Sequence, residues 1–234
     1  MRALHIPAKI TTEFHLPEEF VESLPDTVAV FTTVQLIDSL PTFIHEIEST
    51  GRETKVFKTG HTRNKGQILG CNVQPWQEYS DVEFDAFVYV GDGLFHPRAL
   101  VWKNEDKEVY GYNPFTEEIY TVNSSEVEKI RKQYHAAISL FHMKKRIGVL
   151  VTTKPGQMLL KRAQELRDEY PDKEFFYFID NTYDFSMLDD FNFVDVWVNT
   201  ACPRISFEDQ IKLEKPVVNM EDVKKENARR ALIR

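Results

Sequence analysis

Apolar residues in this chain arrive in two alternating patterns, short β-branched runs and longer sets at helical spacing. Asp26 to Gln35 runs TVAVFTTVQ after the aspartate and predicts a buried strand; Leu36 to Ser49 then places Leu36, Ile37, Leu40, Phe43, Ile44 and Ile47 on one helical face. Pro41 is tolerated in the first turn of that helix, and Gly51 suits the position just past its end. Thr54–Lys58, Gly66–Cys71 and Asp85–Val90 read as further strands, Pro97–Trp102 as a helix and Glu108–Tyr112 as a strand. Ser124 to Lys145 is the strongest helix signal. Val127, Ile130, Tyr134, Ile138 and Phe141 recur at helical spacing, and Lys144, Lys145 and Arg146 complement the negative end of the dipole.

The order then repeats. Arg146–Thr153 predicts a strand, Gly156–Tyr170 a helix, Glu174–Asp180 a strand, Phe185–Asp190 a short helix and Phe193–Asn199 a strand. VAVFTTVQ and GVLVTTKPGQ both close an apolar strand with Thr-Thr followed by Gln, and each round reaches a cysteine after a later strand. The expected fold class is α/β, with two related three-layer units whose parallel sheets are covered on both faces. The expected divisions are a lead-in over 1–26, a first unit over 27–145 that includes the connecting helix 124–145, a second unit over 146–218 and a charged tail over 219–234. Ligand crevices of such sheets lie beyond the carboxyl ends of the strands. Thr32, Thr33, Cys71, Asp92, Thr152, Thr153 and Cys202 are expected there, with the two cysteines at equivalent points of the repeat.

Composition and charge narrow the picture. At 42% hydrophobic and 28% charged residues, with Gly 9 and Pro 11, the 234-residue chain is that of a folded protein. Its net charge of −8 argues against broad phosphate-backbone binding, so no direct nucleic-acid role is expected. The opening MRALHIPAKITTEF lacks the apolar stretch of a secretory signal and no run is long enough to span a bilayer, which points to a cytoplasmic protein without a membrane partner. Two cysteines 131 positions apart are not a disulfide scaffold, and neither sits in a CxxC pair. Each would also serve as a small buried hydrophobe.

Four segments carry candidate chemistry. GQILGC (66–71) brings a glycine next to Cys71, allowing close backbone approach to whatever the sulfur holds. GDGLFHPRAL (91–100) puts Asp92, His96 and Arg98 in a glycine-rich turn after an apolar strand; the plainer alternative is an Asp-Gly turn with His96 capping the next helix. KPGQ (154–157) offers Lys154 and Gln157 at an expected helix entry, fit for an anion such as a carboxylate or for ordinary N-terminal structure. TACPRIS (200–206) places Cys202 beside Arg204, a neighbour that favours thiolate and therefore metal ligation; a surface or interdomain ion pair is the competing use of that arginine.

In their order, GQILGC, VYVGDGLFHPRAL, GVLVTTKPGQ and VNTACPRIS resemble the second and third domains of the diphthamide synthase family, the archaeal-type 2-(3-amino-3-carboxypropyl)histidine synthases, over about Thr27 to Val218. The resemblance implies α/β domains that each give one cysteine to a 4Fe-4S cluster, with Cys71 and Cys202 as two of its ligands. The family's first domain has no counterpart in these residues, so the ligand set is incomplete in this chain. The implied enzyme is an iron-sulfur-dependent 3-amino-3-carboxypropyl transferase. It moves that group from S-adenosylmethionine to a histidine of elongation factor 2, by radical chemistry, in the first step of diphthamide biosynthesis. Asp92, His96, Lys154, Gln157 and Arg204 are the candidates for binding S-adenosylmethionine. Elongation factor 2 is the expected protein substrate, with a homo-oligomer or a partner chain supplying the missing domain. The alternatives are a non-catalytic interaction subunit and an S-adenosylmethionine enzyme with another substrate.

Overall fold

The structure, a computed structural model, describes residues 6–76, 81–208, 210 and 213–224. The chain forms two compact units that meet in sequence between Glu128 and Lys129. The first contains α1 (Glu18–Glu22), β1 (Thr27–Thr32), α2 (Leu40–Glu48), β2 (Glu53–Lys55), β3 (Ala86–Val90), α3 (Phe95–Val101), β4 (Val109–Asn113) and β5 (Glu118–Val122). The long helix α4 (Ser125–Met143) crosses the division. The second holds β6 (Arg146–Thr152), α5 (Leu160–Gln164), α6 (Leu166–Glu169), β7 (Glu174–Asp180), α7 (Phe185–Leu188), β8 (Val196–Asn199), β9 (Val217–Asn219) and α8 (Met220–Val223).

In the first unit the sheet order is β2-β1-β3-β4-β5, parallel except for the β4–β5 pair. The antiparallel β5 departs from the expected all-parallel sheet. A four-residue turn between Asn113 and Glu118, with Glu117 at φ 59°, returns the chain as a hairpin, and EIYTV is too short and exposed to announce itself by pattern. Val28, Val30, Val88 and Val90 alternate onto one face against Leu40, Phe43 and Ile47 of α2. Leu16, Phe20, Val21 and Leu24 join that core, so part of the expected lead-in is a packed element. On the opposite face Phe31 and Phe87 meet Trp76, whose ring lies 4.5 Å from Phe57 and 5.2 Å from Phe84.

The second unit has the order β7-β6-β8-β9, wholly parallel. Both sheets therefore set their first strand between the second and third, as two related units should. Trp197 is fully buried over Gly148, its register partner on β6; a Cβ at Gly148 would lie 2.3 Å from the indole. The lower half of α4 packs here, with Phe141 5.1 Å from Tyr170. That helix thus serves mainly the second unit rather than closing the first. Tyr170 donates to the Val223 carbonyl at 2.6 Å, so the expected tail begins as packed structure, and its residues 225–234 lie outside those described.

Candidate thiol sites at the strand ends

Gly66–Cys71 is not a full strand. A single parallel bridge joins Gln67 to Thr32, with Thr32 N donating to Gly66 at 2.8 Å and Ile68 N to Thr32 at 3.0 Å; the chain then turns. Glycines at both ends and the competing side-chain bonds of Asn72 stop the ladder. Asn72 Oδ1 accepts from Leu69 N at 2.8 Å while its Nδ2 donates to Gly60 O at 3.0 Å, tying the Cys71 turn to the 59–62 turn. Cys71 emerges half-buried and outside any disulfide just beyond the carboxyl end of β1.

The glycine-rich turn after β3 reaches the same loop through Phe95. A Cβ on Gly70 would sit 1.8 Å from the Phe95 ring, so only glycine admits this contact beside Cys71. His96 follows, its Nδ1 3.0 Å from the Tyr89 hydroxyl and its ring stacked on Tyr89 at 5.5 Å. Burial, reinforced by Tyr120 and Asp92, holds the Tyr89 phenol well above its ordinary pKa. The phenol keeps its proton at any physiological pH and can donate it to the imidazole. His96 is thus fixed by a residue of the preceding strand rather than acting as a simple helix cap. Asp92 is exposed, with Asn113 Nδ2 3.3 Å from its Oδ1.

In the second unit Lys154 and Gln157 are both exposed, but not at a helix entry, because α5 begins only at Leu160. KPGQ is instead a turn. Gln157 N donates to Lys154 O at 3.0 Å, Lys154 N to Thr152 Oγ1 at 3.2 Å, and Gly156 supplies φ 81°. Pro155 and Gly156 favour the turn over early helix.

Cys202 lies beyond β8, half-buried and free, immediately before a 3-10 turn over Pro203–Ser206. Asn199 Nδ2 donates to Cys202 O at 2.8 Å and its Oδ1 accepts from Ala201 N at 3.0 Å. Arg204 is 3% exposed, pairs with Glu208 and lies 4.8 Å from the centre of the Phe207 ring. Its guanidinium is engaged inside the unit. The cysteines do not occupy equivalent points, as the repeat had suggested: Cys71 follows the β2 edge, whereas Cys202 follows β8, the counterpart of β3. Asn72, Tyr89, Phe95, Asn199 and Asn219 escaped the sequence reading; asparagines closing apolar strands were the available signal for the last two.

Within each unit the thiol sits on a side-chain-anchored loop at the carboxyl edge of a parallel sheet, the arrangement of an α/β protein that displays cysteines for ligation or chemistry. A family model described as "Putative diphthamide synthesis protein" matches residues 1–226, and the chain belongs to that family. Among its relatives, 2-(3-amino-3-carboxypropyl)histidine synthase of Methanocaldococcus jannaschii is 28% identical over 201 residues, 81% of this chain and 56% of the relative. Subunit 1 of the Schizosaccharomyces pombe synthase is 26% identical, over 83% of this chain and 46% of its own. The crystal structure of Dph2 from Pyrococcus horikoshii with a 4Fe-4S cluster superposes with TM-score 0.69 at 25% identity, covering 87% of this chain and 57% of that one. The chain spans about half the length of these curated relatives. Among the described residues no helix is long and apolar enough to cross a membrane.

Proposed function

We propose that the chain is a shortened 2-(3-amino-3-carboxypropyl)histidine synthase or a subunit of one, acting in the cytoplasm on a histidine of elongation factor 2 with S-adenosylmethionine as donor. The observation that carries this is the presentation of Cys71 and Cys202 as half-buried cysteines, neither in a disulfide, on anchored strand-end loops of a fold shared with a cluster-bearing Dph2. Thiols so placed fit an iron-sulfur cluster in kind, since thiolates are its normal ligands. They do not complete it. The sequence has two cysteines, and among the described residues no three His, Cys, Asp or Glu side chains gather as a metal site. A third ligand would come from a second copy, a partner chain or polypeptide beyond these residues.

When bound, a reduced cluster of this kind supplies the electron that cleaves the sulfonium of S-adenosylmethionine. The chain's own groups bind and orient. Lys154 offers an exposed ammonium and Gln157 an exposed amide for the methionine carboxylate and amine. His96, held by Tyr89, and Asp92 belong to the turn that meets the Cys71 loop through Phe95. Arg204 reaches a ligand only by leaving Glu208, so its first contribution is to the Cys202 loop.

The test is transfer of radiolabel from carboxypropyl-labelled S-adenosylmethionine to elongation factor 2 under anaerobic reduction. Transfer that requires both cysteines supports the reading. Failure of the chain to transfer, combined with stimulation of a complete synthase by the iron-free chain, would make it a non-catalytic subunit instead.

A further inference from the structure

The backbone on both sides of Cys202 is captured by two buried asparagines. Asn199 donates to the Cys202 carbonyl at 2.8 Å and accepts from Ala201 N at 3.0 Å. Its Nδ2 also reaches Asn219 Oδ1 at 2.8 Å, an oxygen that accepts from Ser206 Oγ at 2.7 Å. Asn219 Nδ2 donates to the Pro203 carbonyl at 3.1 Å. Residues 201, 202, 203 and 206 are thus held from the ends of β8 and β9. The pair is itself anchored, because Asn219 N donates to the Tyr134 hydroxyl at 2.9 Å and that hydroxyl donates to Asp222 at 2.6 Å.

We infer that Asn199 and Asn219 are positioning residues for Cys202, a latch braced by Tyr134 that fixes the cysteine backbone while leaving its sulfur to a ligand. Packing alone would not need it. Asn199 is 2% exposed and Asn219 6%, and an aliphatic side chain would fill either strand-end position without burying two amides. Two amides buried together are tolerable only when their donors and acceptors are met, and here they are met by the cysteine loop. A loop held at consecutive backbone groups presents its thiol in one geometry, which is what a rigid ligand site requires. The inference that this serves a cluster rests on the function proposed above; the latch itself does not.

The experiment is residue-resolved alkylation of the iron-free chain by iodoacetamide, read by mass spectrometry, with Cys71 in the other unit as internal control. Asn219→Ala and Asn199→Ala should each speed alkylation of Cys202 about tenfold, the scale of losing a net hydrogen bond or two, and leave Cys71 unchanged. Because the two act through a shared bond, the double variant should fall short of the product of the singles. Tyr134→Phe keeps the ring and should give a smaller rise, about threefold on the same scale, so the idea stays testable if an asparagine variant does not fold. Unchanged Cys202 rates in folded variants, or equal rises at both cysteines, would overturn the latch. After anaerobic reconstitution, the same variants should lose visible absorption to an iron chelator faster than the parent. Altered thiol rates without faster iron loss would retain the latch and remove Cys202 from the cluster.

Discussion

Two glycine-to-alanine changes that look alike in sequence should behave differently, and the contrast separates the scaffold from the site. Neither Gly70 nor Gly148 uses a positive φ, so alanine suits both backbones and the effect comes from the new methyl group. At Gly148 the methyl meets the Trp197 ring at 2.3 Å and Val194 at 2.9 Å, in a strand where Trp197 is fully buried and has nowhere to go. Such overpacking costs about 3 kcal/mol, the upper end of the usual range. For a unit of about 100 residues that lowers the unfolding midpoint by on the order of 10 °C or more. At Gly70 the obstacle is Phe95, which is 47% exposed and can swing into water. The loss is then a half-buried ring's contact, about 1 kcal/mol. Its effect should be local: Cys71 loses the ring beside it and alkylates faster, while the second unit is untouched. Hydrogen exchange read by peptide resolves the two units, and thiol labelling reads the site. A Gly148→Ala protein within about 0.5 kcal/mol of the parent, the spread of ordinary surface changes, would refute the packing argument, and unchanged Cys71 labelling in Gly70→Ala would refute the contact argument.

Tyr89→Phe should keep the stack on His96 but lose the hydroxyl bond, destabilising the first unit by about 1 kcal/mol in urea unfolding; a neutral result would mean the phenol does not hold the imidazole. Lys154→Gln should weaken S-adenosylmethionine binding in calorimetry. Arg204→Lys should instead act on the Cys202 loop, because lysine cannot reproduce the guanidinium's placement over the Phe207 ring together with its pairing to Glu208. A large affinity loss from Arg204→Lys alone would reverse those roles. Asp195, hydrogen-bonded to Arg146, has its pKa lowered by that partner. The unfolded carboxyl takes up protons first, so the stabilisation it gives is present above about pH 4 and is lost as pH falls through the depressed folded value. Asp195→Asn should flatten that part of the acid stability profile, and an unaltered profile would show that the pair contributes nothing.

What was legible in the sequence followed from period and burial. β1, β3 and β6 are nearly continuous apolar runs because central parallel strands are covered on both faces, the edge strand β7 is as apolar in sequence though only partly buried, and α2 and α4 carry a single apolar stripe. Elements of low contrast were missed. β5 lies at a sheet edge with most of its residues exposed, and β9 has three residues. The entry to α5 was misplaced because apolar spacing from Met158 onward says nothing about the turn that Pro155 and Gly156 impose. Cys71 and Cys202 stood out by rarity and by the family resemblance. Their supports did not, because Asn72, Asn199 and Asn219 act through backbone atoms up to 16 positions away, and no local pattern encodes such a bond.

The proposed function depends on Cys71 and Cys202 serving as iron-sulfur ligands. The most direct measurement is the iron content and visible absorption of the protein after anaerobic reconstitution with iron and sulfide, alongside Cys71→Ser and Cys202→Ser. We expect a coloured, iron-bearing parent when a second copy or a partner chain supplies the third ligand, and a loss of most iron in each single variant, since removing either thiolate then leaves too few ligands to retain the cluster. A parent whose iron survives both substitutions would contradict it.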